Sequence, residues 1–155
     1  MANDNIPDEM LQRGREPDPD FPLEEDLFVR FQTVENNKVS ISDIKFPDQS
    51  VNRSRYSEAI WILIPMSKFR NWGYGVIKVQ DIPREPRIPS GKTNQCQIEH
   101  CPLEQNYSHC EIRAYKNGIR VNNNNKDKRI GLQFRLEFIR KIEIRKFPDY
   151  PYANE

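Results

Sequence analysis

The apolar residues of this chain come in short runs that prolines bring to a stop, a pattern that favours strands over long helices. Leu27, Val29 and Phe31 alternate with Phe28 and Arg30 at the strand period of two. Asn36-Asn37 then reads as a turn, and Val39 to Ser42 alternates again before Pro47, which predicts a hairpin. Asp48 to Glu58 is a polar interval, and Ala59 to Ile64 is a continuous apolar run, read as a buried strand that Pro65 ends. Tyr74 to Val79 is rich in β-branched residues and predicts a further strand, running out at Pro83.

From Pro83 to Asn106, prolines at 83, 86, 89 and 102 and weak periodicity predict a long loop, the kind of segment that often carries function. Ser108 to Tyr115 reads as a strand with Cys110, Ile112 and Ala114 facing the core and His109, Glu111, Arg113 and Tyr115 facing the other way. Asn117-Gly118 marks a turn, and Asn122 to Asn125 a mobile loop tip. Residues 130–147 fit both periods: Leu132, Phe134, Leu136 and Phe138 suit a strand, while Ile130, Phe134, Phe138 and Ile142 form a helical stripe. The reading adopted is a helix to about Arg140 and a last strand through Ile142 and Ile144. The predicted class is α+β, a small mixed or antiparallel sheet with a C-terminal helix.

A chain of 155 residues supports one core, assigned to residues 27–147, with an irregular end over 148–155. Residues 1–26 hold four of the twelve prolines and nine acids against two arginines, a net of −7, and are expected to form a disordered acidic tail. Within it, Phe21-Pro22-Leu23 could instead dock as an extended strap. The longest apolar run, 59–65, falls far short of the roughly 18 residues of a membrane span, and the acidic start does not resemble an export signal. A cytoplasmic location without membrane contact follows.

Both histidines and all three cysteines lie between Cys96 and Cys110. An odd number of crowded cysteines reads as reduced thiols rather than as a disulfide framework. A zinc site would draw on Cys96, His100 and His109, but a strand sends the adjacent His109 and Cys110 to opposite faces. A thiol hydrolase could use Cys101 as nucleophile with His100 or His109 as base, oriented by Glu111 or Asn106. The bland reading makes Cys110 a core residue, Cys96 and Cys101 incidental thiols, and the histidines anchors for loops. No P-loop and no G-x-G-x-x-G is present, the nearest being Gly73-Tyr74-Gly75 ahead of a strand, which argues against nucleotide-driven chemistry.

Residues 111–147 hold eleven bases and four acids, so the C-terminal third is basic and suits an anionic partner. Arg113, Arg135, Arg140 and Lys141 are the candidate partner-binding residues. Nucleic acid is one such partner, and an acidic protein surface is favoured over it.

The stretches His100-x-Pro102, Asn106-x-x-His109, Leu27-Phe28-x-Arg30 and Ser50-Val51-x-Arg53-Ser54 resemble small uncharacterised bacterial proteins of conflict and defence gene neighbourhoods. The resemblance covers residues 27–140 in outline and implies an accessory role. The leading reading is therefore a non-catalytic protein-interaction module without a cofactor, using the basic region and the 83–106 loop, with the acidic tail competing for the same surface. The alternative is a small Cys/His-dependent hydrolase or metal-binding enzyme.

Overall fold

The computed structural model describes residues 6–32, 34–63 and 73–146. Its strands are β1 (Asp26–Phe31), β2 (Asp48–Arg53), β3 (Gly73–Lys78), β4 (Gln95–His100), β5 (His109–Lys116), β6 (Ile119–Arg120) and β7 (Glu143–Lys146); its helices are α1 (Ala59–Leu63) and α2 (Lys128–Lys141). They form one seven-stranded sheet in the order β4-β5-β2-β1-β3-β7, with β6 alongside β5. Every pairing is antiparallel. The fold is α+β, as the residue pattern implies.

Residues opposite each other in register share a face. Leu27, Val29, Phe31, Val51, Ile77, Cys110, Ile112 and Ala114 thus line one side, where they pack with Ile130, Phe134, Phe138 and Ile142. Asp127 caps α2 by accepting from the N–H groups of Arg129 and Ile130. At Gly75 the helix end comes so close that an added Cβ would lie 2.2 Å from Ile142 Cδ1. On the opposite face, Met10, Ile62 and Tyr74 form a second, smaller cluster against Phe28, Trp61 and Val76.

β3, β5, α2 and β7 follow the sequence reading, as does the Asn117-Gly118 turn, whose residues have φ of 52° and 78°. Four readings are corrected. Val39 to Ser42 is not a strand: Ile41–Asp43 makes a 3-10 turn in which Ser40 and Asp43 cap each other reciprocally, and β1 pairs with β2 and β3 instead. The polar interval contributes the inner strand β2, whose buried Gln49 and Asn52 are hydrogen-bonded to Lys45 N, Ser50 O, Asn106 Nδ2 and Ser108 Oγ. Ala59 to Leu63 is helical and joins the second cluster, where Ile62 is buried with Met10 and Tyr74. The long loop contains the edge strand β4.

The expected tail is corrected as well over its described part: residues 6–26 run across the domain as a strap. Met10 is 3% exposed, Gln12 N–H donates to Glu104 O at 2.9 Å, and Tyr107 N–H donates to Met10 O at 2.7 Å. Asn122 to Asn125 forms a closed turn in which Asn122 Oδ1 accepts from the N–H groups of Asn124 and Asn125. Residues 148–155, expected to be irregular, lie outside the described residues. No helix among the described residues is long and apolar enough to cross a membrane.

Candidate functional site

β4 and β5 place Glu99 directly opposite Glu111. Two carboxylates in that position repel, and Arg113 resolves the conflict by donating to both, through Nη1 to Glu99 Oε1 at 2.8 Å and through Nη2 to Glu111 Oε2 at 3.2 Å. The Tyr115 hydroxyl closes the group by donating to Glu99 Oε2. Arg113 is thus engaged inside the molecule, and Glu111 is held by Arg113 and turned toward neither histidine's ring nitrogen bonds.

The histidines occupy opposite faces. His100 is in register with Cys110 on the core side, whereas His109 lies on the far side of β5. His100 Nδ1 accepts from Asp18 N–H at 2.9 Å, which leaves the proton of the neutral ring on Nε2, donating to Tyr107 O at 2.6 Å. Tyr56 stacks on this ring and Tyr107 meets it edge-on. Burial holds its pKa below the ordinary value. His109 Nδ1 bonds Cys101 O at 2.9 Å, and Nε2 faces Ser50 Oγ at 3.4 Å. Both rings therefore anchor backbone.

The Cys101 thiol is not joined to an imidazole. Its Sγ donates to Glu99 O at 3.4 Å, and burial raises its pKa, which disfavours the thiolate a nucleophile needs. Burial also pushes Cys96 up to about 12 and raises Cys110. Cys96 and His100 share a face of β4 but lie four positions apart, about 13 Å along a strand, and His109 is behind the sheet. Among the described residues no three His, Cys, Asp or Glu side chains converge as a metal site.

What sequence reasoning missed is Arg53, which has no exposed surface. Its guanidinium donates to Glu25 through Nε and Nη2, to Asp18 O at 2.8 Å and to Asp20 O at 2.5 Å, and lies 4.1 Å from the Phe21 ring centroid. Asp18 in turn accepts from the Tyr56 hydroxyl at 2.5 Å. The signal was present in Phe21-Pro22-Leu23, but its receptor was not visible. This docking also corrects the idea that the acidic segment covers the basic region, because Asp18, Asp20 and Glu25 meet Arg53 and Arg55, and among the described residues none of the segment's acids pairs with α2.

The remaining partner-binding candidates lie on α2. Arg135 folds back, donating from Nε to Gly131 O at 3.2 Å. Arg140 and Lys141 are exposed, and neither forms an ion pair among the described residues. Leu132, 46% exposed, and the half-buried Leu136 stand two turns and one turn before Arg140 on the same side. Arg140 and Lys141 also border a shallow cleft of about 310 Å³ shared with Pro83, Arg84 and Glu85. The basic helix and the start of the predicted loop therefore form one surface.

No family model, curated protein or solved structure matches this chain.

Proposed function

We propose that this chain is a cytoplasmic, non-catalytic interaction module, an accessory component of a bacterial defence assembly, that docks an acidic protein partner on the outer side of α2. The observation that carries this reading is the pairing of Arg140 and Lys141, free of ion pairs among the described residues, with the exposed Leu132 and the half-buried Leu136 beside the Pro83–Glu85 cleft. Apolar anchors rimmed by charge are what a specific protein interface offers. A phosphate backbone asks for an uninterrupted cationic track, and here two leucines and Glu137 break it, which favours protein over nucleic acid. The engagement of His100 and His109 with main-chain groups supports the non-catalytic reading over a hydrolase.

The test is co-purification of the tagged full chain with the proteins encoded beside it. The paired substitutions Arg140→Glu and Lys141→Glu should release a specific partner, as should Leu132→Asp, while His109→Ala should retain it. Retention by the charge-reversed chain, or a hydrolytic turnover lost with His109→Ala, would overturn the proposal.

A further inference from the structure

At the other end of α2 a cavity of about 370 Å³ opens between the Lys92–Asn94 segment, the β5–β6 hairpin and the first turn of the helix. Its volume falls within the range of about 300–1,000 Å³ typical of small-molecule sites. Asn94 lines it and is only 3% exposed, yet its Oδ1 is buried with no hydrogen-bond partner. Buried amides are ordinarily satisfied, and this oxygen is closed off from the open space, so turning the amide about its side-chain bond would bring it to a partner in the cavity. The Asn94 carbonyl by contrast is used, accepting from Thr93 Oγ1.

Two cations, Lys92 and Lys116, stand at the same cavity with the Asp127 carboxylate, whose charge Lys92 helps to stabilise, and neither lysine forms a close ion pair among the described residues. The helix terminus does not compete for an anion here, because Asp127 already accepts from the N–H groups of Arg129 and Ile130 at 2.8 and 3.4 Å. Ile119, 70% exposed, adds an apolar wall on the hairpin.

We propose that this cavity binds a phosphorylated polyol, with the phosphate met by Lys92 and Lys116 and a hydroxyl met by the Asn94 amide. A hydroxyl donates and accepts at once, so it satisfies the amide whichever way it is turned. The apolar Ile119 wall suits the carbon face of a sugar ring. Such a ligand could come as a free sugar phosphate or as the ribose phosphate of a nucleotide.

The test is titration of the ¹⁵N-labelled full chain with ribose 5-phosphate, adenosine monophosphate, free ribose and inorganic phosphate. The expected result is saturable shifts of Lys92–Asn94 and Lys116–Val121 with the phosphorylated sugars, at affinities that neither ribose nor phosphate reaches. Equal affinity for the two phosphorylated probes identifies a sugar phosphate, and tighter adenosine monophosphate a nucleotide. Asn94→Ala, which removes the orphan, should weaken binding about tenfold, and Lys116→Ala comparably. No saturable shift, inorganic phosphate binding as tightly as the phosphorylated sugars, or unchanged affinity in Asn94→Ala would each overturn the proposal. Arg140→Glu leaves this binding untouched, so its outcome is independent of the docking surface on α2.

Discussion

Glu25 and Arg53 meet in a two-pronged ion pair, Nη2 to Oε1 at 2.7 Å and Nε to Oε2 at 3.0 Å, with the arginine fully enclosed. Breaking such a pair strands one charge in the interior. Glu25→Gln and Arg53→Met should each lower the unfolding free energy by about 3–5 kcal/mol, and the double substitution by less than their sum. Urea denaturation of the three variants checks this, and strictly additive losses would refute the coupling.

The strap should loosen in acid. Burial holds the His100 pKa below its ordinary 6.5, and the Tyr56 hydroxyl, with Asp20 N–H and Arg53, holds Asp18 below its ordinary 3.8. Each group binds a proton more readily in the unfolded chain, so its contribution is complete above the ordinary pKa and is lost as pH falls through the lowered folded value. The urea midpoint should decline first below 6.5 and again below 3.8. His100→Gln should remove the first decline, and a profile unchanged by that substitution would contradict the assignment.

Thiol labelling should be slow. In the native protein Cys101 should react sluggishly and Cys96 and Cys110 not at all, since burial raises all three thiol pKa values. All three should react after unfolding. A rapid burst at Cys101 near neutral pH would restore the hydrolase reading.

Gly75→Ala should cost about 1–3 kcal/mol, because its methyl would lie 2.2 Å from Ile142 Cδ1 and 3.0 Å from Phe31 Cε2. Calorimetry reads the loss. An unchanged melting temperature would mean that the end of α2 can move away from β3 freely.

The legible parts of the fold were those where one face is apolar. Cys110, Ile112 and Ala114 alternate against Glu111 and Arg113, so β5 and its two faces could be read directly. β2 could not, since Gln49, Asn52 and Arg53 are buried yet polar, and hydrophobic alternation is blind to residues satisfied by hydrogen bonds. β4 was hidden for a related reason, with Gln95, Gln97 and Glu99 between its few apolar positions. Ser40 and Asp43 did carry a readable cap signal, overridden by the alternation of Val39 and Ile41. For the candidate sites, Arg140 and Lys141 were visible as charge, whereas the roles of His100 and Arg53 depend on strap residues 82 and 28 positions away. Local pattern cannot supply such pairings.

The strap sets an order of assembly. Asp18 waits for an imidazole 82 positions downstream, and Glu16 for a hydroxyl 91 positions downstream. Closing loops of that length is entropically late, after neighbouring strands have condensed. On a ribosome, the strap therefore emerges well before the groups that hold it and is among the last segments to find its place. A nascent chain that ends before Tyr107 has Arg53, Tyr56 and His100 to hold Asp18 but not the hydroxyl and N–H of Tyr107 that hold Glu16 and Met10.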